Sequence, residues 1–180
     1  MQIVGPALEN AKYCVESEEL RNMFSKLIIN SMNKDFEGAI HPSFGDVLKQ
    51  LSPLDARVFT YVYQHIVNPL MHVNYKLGPG MGSKTLCKYL TCIHIASHDL
   101  IMGSLENLKR LNLVDIPSIK SYSNDNLYSD IRSSADYATF VSQPARLYGC
   151  EISEEKSLIE KTEYGLLFFK ACTDIQPAVN

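Results

Sequence analysis

The chain has no apolar run of the ~18 residues that a membrane-spanning helix requires. It also lacks an N-terminal basic stretch followed by an apolar one, so the sequence predicts neither a membrane span nor a signal peptide. Positive charge is not in excess: the formal net charge of −3 excludes a global attraction to nucleic acid or to anionic lipid. Together these absences predict a cytoplasmic protein.

The cysteines show no disulfide pattern. The five cysteines are an odd number without the spacing of a disulfide framework, which favours free thiols in a reducing cytosol. With 180 residues the chain fits one domain or two small ones, and it can bury roughly 70% of its unfolded surface without a covalent crosslink. Its apolar and charged contents, 46% and 21%, are those of a globular protein.

Apolar residues at helical spacing, preceded by capping residues, dominate the N-terminal part. Ser17 and Ser52 are each placed to cap a helix whose apolar side chains face a core. Pro53 at the first helical position and Asp55 in the first turn strengthen the second signal, because an early carboxylate favours the positive end of the helix dipole. The sequence therefore predicts an amphipathic helix after each of these serines.

The C-terminal half predicts a different arrangement. Residues 85–97 and 99–112 carry apolar side chains at helical spacing and predict two helices. A short strand, a Ser-, Tyr- and Asn-rich insertion at about 118–147, a returning strand and a final helix follow. This is the element order of a winged helix. The predicted fold is mainly α: a helical region at 1–84, then a winged-helix-like region at 85–180 with a small β-element.

A glycine-rich loop at 78–83 lies between a strand predicted at 70–77 and the helix predicted at 85–97. A P-loop needs Gly-x-x-x-x-Gly-Lys-Ser/Thr in that context, where backbone N–H groups and the lysine hold phosphate. Here Ser83 replaces the second required glycine, so we predict a flexible loop without a cofactor. The alternative is nucleotide binding, with candidate residues Gly78, Gly80, Gly82, Ser83, Lys84 and Thr85.

His94 and His98 are one helical turn apart, a spacing that can bind a metal ion. Cys87 falls on the same predicted stripe, about 10 Å along the axis from His94 and further still from His98. It therefore cannot share an ion with His98 unless the helix breaks. A structural zinc site normally needs four nearby ligands. We therefore predict no metal site, and the two histidines are the candidates if one exists.

The helix predicted at 99–112 occupies the position of a DNA-recognition helix. Its basic residues, Lys109 and Arg110, lie at its C-terminal end, whereas bases usually contact the N-terminal part, which here is acidic and apolar. Glutamates outnumber lysines in the predicted wing, and such a surface would repel phosphate. Contact with proteins is therefore favoured over contact with DNA. The candidate interaction residues are Leu100, Ile101, Met102, Lys109 and Arg110.

Seven blocks follow one another in a characteristic order. They are Gly-Pro-Ala-Leu-Glu at 5–9, Glu-Glu-Leu-Arg-Asn-Met-Phe at 18–24, His-Pro-Ser-Phe at 41–44, Lys-Gln-Leu-Ser-Pro-Leu-Asp-Ala at 49–56, Ser-Leu-Glu-Asn-Leu-Lys-Arg-Leu at 104–111, Thr-Glu-Tyr-Gly at 162–165 and Phe-Lys-Ala-Cys at 169–172. Together they resemble the Abi-alpha (abortive infection alpha) family of bacterial proteins. The resemblance implies a role in resistance to phage, in which an infected cell sacrifices itself, and it supplies no catalytic residues.

Members of that family usually carry a further N-terminal region, so the resemblance implies that this chain is a sensing or scaffolding part. We therefore predict a non-enzymatic module of phage defence that binds a phage or host protein or assembles with itself. A winged-helix transcription regulator and a nucleotide-binding enzyme are the alternatives. Nucleophilic catalysis by a Ser-His-Asp or Cys-His group cannot be recognised from residue order.

Overall fold

The computed structural model describes residues 17–33, 40–76, 82–147 and 151–178. About 50% of these residues are helical and about 20% are in strands, which form one three-stranded antiparallel sheet and one two-stranded sheet. The predicted mainly α fold is therefore wrong, and the protein has a mixed α/β fold. None of the helices in these ranges is long and apolar enough to span a membrane.

The elements in chain order define the labels used below. They are α1 (Glu18–Ser31), α2 (Phe44–Lys49), α3 (Pro53–Gln64), β1 (Pro69–Lys76), β2 (Ser83–Thr91), α4 (His98–Arg110), β3 (Val114–Asp115), a 3-10 helix (Asp125–Tyr128), α5 (Ser129–Arg132), α6 (Ala135–Leu147), β4 (Ile152–Leu158), β5 (Glu160–Lys161) and α7 (Glu163–Cys172). The chain divides into two compact units. The helical unit comprises Met1–Ile66, Ser104–Asp115 and Lys161–Asn180, and the sheet unit comprises Val67–Gly103 and Ile116–Glu160.

Both predicted helix starts in the helical unit are confirmed. The Ser17 hydroxyl accepts a hydrogen bond from the Leu20 N–H at 3.3 Å, at the start of α1. Ser52 and Asp55 form a reciprocal capping box at the start of α3. The Ser52 hydroxyl accepts from the Asp55 N–H at 3.1 Å, and the Asp55 carboxylate accepts from the Ser52 N–H at 2.8 Å. Each cap satisfies backbone donors that the first helical turn leaves unpaired.

Aromatic side chains fill the core of the helical unit. The ring of Phe168 on α7 lies 5.3 Å from that of Phe44 and 5.5 Å from that of Phe59, edge to face in both cases. Tyr63 on α3 stacks on Phe169 at 5.0 Å. All five rings are buried, and each contributes roughly 1.5–3 kcal/mol on leaving water. This cluster packs α2 and α3 against α7.

In the sheet unit, β1 is the central strand and pairs antiparallel with β2 on one side and β4 on the other. The core on one face of the sheet consists of Met71, Val73, Cys87, Leu90, Tyr128 and Ile131. Ile131 belongs to the insertion predicted at about 118–147, and Leu127, Tyr137 and Phe140 pack against the same core. The insertion is therefore anchored by apolar side chains, although Ser, Tyr and Asn are frequent in its sequence.

A charged cluster also holds the insertion on the sheet. The Arg132 guanidinium binds Asp125 at 2.9 and 3.0 Å and Glu154 of β4 at 2.7–3.1 Å, and the Tyr137 hydroxyl donates to Glu154 at 2.6 Å. Hydrogen bonds from Arg132, and then from Lys156, lower the pKa of Asp125 to about 2. The Arg132 hydrogen bonds also hold the pKa of Glu154 below its usual value. Both carboxyls are thus ionised partners of Arg132 at neutral pH.

The error in fold class comes mainly from β2, which the sequence predicts as helix. Leu86, Leu90 and Ile93 recur at helical spacing, but Cys87 and Tyr89 also alternate as buried residues of a strand. Periodicity does not separate the two patterns in so short a segment. Pairing with β1, which depends on residues outside this segment of the sequence, decides in favour of the strand.

The predicted winged helix is also wrong. A wing is formed by strands that follow the recognition helix and pair with each other. Here β4, which follows α4, pairs with β1, which precedes α4, and β3 pairs with β5. The α4 helix therefore lies outside a winged-helix arrangement, and a winged-helix regulator has no basis in this fold.

Candidate functional site

The described part of the glycine-rich loop leads into a strand. Gly78 and Gly80 lie outside the described residues. Gly82 has φ +77°, and Ser83, Lys84 and Thr85 then form the exposed start of β2. A P-loop presents its lysine at the N-terminus of a helix. Lys84 instead pairs across the sheet with Tyr75, so this stretch lacks the helix dipole that a P-loop uses.

The two candidate histidines do not share a helix. His94 is exposed in the loop after β2, whereas His98 is the first residue of α4. Because the predicted helix is a strand followed by a loop, the chain folds back and brings His98 to Cys87, with 3.1 Å between Nε2 and Sγ. In a continuous helix the two residues, eleven positions apart, would be about 16 Å apart along the axis. No sequence spacing identified this pair, since its contact depends on the turn between β2 and α4.

The Cys87–His98 pair lies in a largely apolar setting. Cys87 is 4% exposed, and the ring of His98 lies 5.5 Å from that of Phe140 on α6, edge to face. Burial raises the pKa of the Cys87 thiol to about 12, and the negative charges of Asp136 and Asp99 act in the same direction. The thiol is therefore protonated at neutral pH and can donate to His98 Nε2, or more weakly to the Lys88 carbonyl at 3.5 Å. It is not an activated nucleophile in this state.

A second polar group, on β1, β2 and β4, was not foreseen from the sequence. Tyr89 has φ 59°, a left-handed conformation that is unusual for an aromatic residue. Its N–H donates to His72 Nδ1 at 3.4 Å, and the two rings are 5.4 Å apart. His72 is opposite Glu155 in the sheet register, and Asn74 donates to the Glu155 carboxylate at 3.2 Å. Only the strand register brings these four residues together, so no local pattern reveals them.

A third polar group joins two blocks of the family resemblance. The Ser43 hydroxyl lies 2.6 Å from His41 Nδ1 and 2.6 Å from the Tyr164 hydroxyl. His41 Nδ1 also accepts from the Ser43 N–H at 3.2 Å, so this nitrogen already stabilises the turn before α2. An imidazole beside a hydroxyl resembles the base and nucleophile of a catalytic pair. Here the contacts between His41 and Ser43 are those of a local turn, which the Tyr164 hydroxyl links to α7.

No larger metal-binding group accompanies these contacts. Within the described ranges, no three His, Cys, Asp or Glu side chains are grouped so that they could hold a metal ion. The polar clusters are therefore pairs and short hydrogen-bonded chains.

The structure separates the predicted interaction residues by exposure. Leu100 is 58% exposed, whereas Ile101 is buried and Met102 is half-buried. Lys109 is half-buried, and Arg110 is exposed, with its guanidinium bonded to Gln50 at 3.0 Å and to Asn107 at 2.8 and 3.2 Å. These five residues therefore do not form one continuous exposed surface. Leu100 is the one whose apolar side chain is mainly in solvent.

An exposed apolar pair lies on α1, where the sequence predicted a core-facing helix. Ile29 is 60% exposed and Met32, the residue that caps the C-terminal end of α1, is 72% exposed. They are three residues apart and so are neighbours on one side of the helix. The buried residues of α1, which include Phe24 and Leu27, occupy the opposite side. The helical spacing predicts Met32 on the core-facing stripe with Leu27, and its exposure shows that this prediction is wrong for Met32; only Ile29 falls outside the predicted stripe.

Comparison with known proteins gives one family. The sequence profile of the family described as abortive infection alpha matches residues 1–172, nearly the whole chain. No curated protein matches. A solved structure of an uncharacterized protein from the hydrocarbon-degrading marine bacterium Alcanivorax borkumensis is 15% identical, with a TM-score of 0.43 over 71% of this chain and 90% of the other. That likeness is too distant to support an inference about function.

Proposed function

The chain belongs to the abortive infection alpha family, and we propose that it acts in phage defence through protein contacts and without catalysing a reaction. Membership of the family makes it an abortive-infection protein. The mode of action is our proposal: a sensing or scaffolding module that binds a phage or host protein, or a second copy of itself.

The exposed pair Ile29 and Met32 carries this proposal. Single exposed apolar residues are common on protein surfaces, but two large neighbours on the solvent side of one helix favour a contact surface, here called the α1 face. Full burial of such side chains contributes roughly 1.5–3 kcal/mol each, so covering both would supply a useful part of a binding energy. Leu100 offers a separate exposed apolar side chain in the sheet unit.

The state of the polar groups supports a role without catalysis. An efficient nucleophile has a lowered pKa or an adjacent base that is free to take its proton. The Cys87 thiol has a raised pKa because it is buried, and the imidazole nitrogen beside Ser43 already accepts a backbone N–H. Both groups therefore have structural partners that explain them without a reaction.

Photo-crosslinking during infection tests the proposal. A photo-reactive phenylalanine analogue would replace Ile29, and in a control strain it would replace Ile119, which is 97% exposed but lies in the sheet unit. We expect adducts from position 29 that are absent or much weaker from position 119. An adduct of twice the chain mass would identify self-assembly, and any other mass would lead to a phage or host partner by mass spectrometry. Equal labelling from both positions, or none from position 29, would contradict contact through the α1 face.

A further inference from the structure

Cys87 and His98 are two metal-ligating side chains from different elements that meet inside the sheet unit. Their Sγ and Nε2 atoms are 3.1 Å apart, although the residues are separated by eleven positions. Cys87 lies on β2 and His98 at the start of α4, so the two ligands come from different elements of the unit. We propose that this pair is a two-ligand site for a soft monovalent metal ion, of which Cu⁺ is the representative.

The number of ligands selects the class of metal. Zinc sites use three or four protein ligands, and the described residues offer no group of three. Thiolate ligands select soft ions such as Cu⁺. Soft monovalent ions with a filled d shell also accept two ligands, so one sulfur and one imidazole nitrogen are sufficient.

Charge favours a monovalent ion in this buried position. When the metal binds, the Cys87 thiol loses its proton to water and forms a sulfur–metal bond, while the His98 Nε2 lone pair forms the second bond. The metal keeps its +1 charge and nothing is oxidised or reduced. A proton has therefore been exchanged for an ion of equal charge, and the buried site gains no net charge. A divalent ion would leave an additional positive charge at a largely buried site, which is costly, and the carboxylates of Asp136 and Asp99, which act on Cys87 through their charge, are not grouped with the pair as ligands.

The required movement is small. Zinc–sulfur and zinc–imidazole bonds are about 2.3 and 2.0 Å long, and the bonds of two-coordinate Cu⁺ are similar or slightly shorter. A linear arrangement therefore places the two ligand atoms about 4 Å apart. The pair must open by about 1 Å from its observed separation of 3.1 Å. His98 is half-buried and contacts Phe140 through the edge of its ring, so rotation of the imidazole can provide this opening.

The chain offers a matched control for each ligand. Cys92 is a second cysteine beside the same core and is half-buried, and His94 is the other histidine of this segment. The whole purified chain, reduced and kept under anaerobic conditions, would compete with bicinchoninate for Cu⁺. We expect Cys87→Ser and His98→Gln each to weaken Cu⁺ affinity by roughly 100-fold or more, because even the loss of a supporting residue costs roughly 10- to 100-fold. Cys92→Ser and His94→Gln should bind as the wild type does.

Two further readouts keep the proposal falsifiable. Thermal melting in the absence of metal would show whether each variant is folded. The His98→Gln variant is expected to fold, because glutamine keeps a side-chain acceptor near the Cys87 thiol. X-ray absorption of the Cu⁺-loaded wild type should show one sulfur and one nitrogen neighbour. Unchanged affinity in folded Cys87→Ser or His98→Gln would overturn the site, as would a spectrum with sulfur ligands only. This result is independent of crosslinking at the α1 face, so either proposal can fail alone.

Discussion

Replacement of Gly165 by alanine should destabilise the helical unit strongly, although alanine is normally the better helix residue. Gly165 lies in α7, where a Cβ atom would collide with the Tyr63 hydroxyl and with the backbone carbonyl of Leu113. The same two atoms form a buried hydrogen bond, in which Tyr63 Oη donates to the Leu113 carbonyl at 2.7 Å. The added methyl group must therefore displace both partners of a bond that joins α3 to the segment after α4.

The expected magnitude combines three effects. Overpacking costs about 1–3 kcal/mol. Separating Tyr63 from Leu113 leaves a buried polar group without its partner, which costs about 1–3 kcal/mol. The higher helix propensity of alanine offsets about 1 kcal/mol. Gly165→Ala should thus lower the free energy of unfolding by about 1–5 kcal/mol, measured by urea denaturation followed by circular dichroism.

Gly103 is the matched control, because it is also a helical glycine. Its added Cβ would meet nothing within 4 Å, so Gly103→Ala should raise the free energy of unfolding by about 1 kcal/mol. Tyr63→Phe combined with Gly165→Ala should recover little, since the Leu113 carbonyl still blocks the methyl group. If Gly165→Ala were as stable as the wild type, the close approach of α7 to Tyr63 would be refuted.

Three further predictions concern the charged cluster, the buried thiol and the aromatic core. Asp125 and Glu154 have folded pKa values below their ordinary values of 3.8 and 4.5, so their stabilisation is present above about pH 4.5 and is lost as pH falls towards 2. Arg132→Met should flatten this loss in melting curves recorded between these pH values, and curves parallel to the wild type would contradict the pairing. The Cys87 thiol should react with iodoacetamide only after unfolding, as mass spectrometry of native and urea-treated protein can show; rapid modification of native protein would contradict its burial. Phe168→Ala should cost about 3–5 kcal/mol in urea denaturation, and a loss under about 1 kcal/mol would indicate a loosely packed core.

Features that depend on neighbouring residues were predictable from the sequence. Ser17 and Ser52 cap the predicted helices because the serine hydroxyl and the first-turn N–H groups lie within four residues of each other. The strand predicted at 70–77 exists as β1, since its alternating pattern is a local property. The family resemblance was also readable, because ordered blocks spread over most of the chain carry it.

Features that depend on distant partners were not predictable in the same way. The strand β2 carries apolar residues that fit a helix as well as a strand, and its pairing with β1 decides. This single error also separated Cys87 from His98, because a continuous helix places these residues, eleven positions apart, about 16 Å apart along its axis. The group around His72 and Glu155 depends on the register of β1 with β4, which no single segment encodes.

A phage-protection assay tests most directly whether contact, and not catalysis, underlies defence. Bacteria expressing the full protein would carry Ile29→Asp with Met32→Asp, or Ile119→Asp as an exposed apolar control outside the α1 face, or Ser43→Ala with His72→Ala. Plaque counts should rise to unprotected levels only for the double aspartate variant, which should still melt cooperatively. Full protection by that variant, or its loss in the folded Ser43→Ala, His72→Ala variant, would contradict a defence that works through the α1 face.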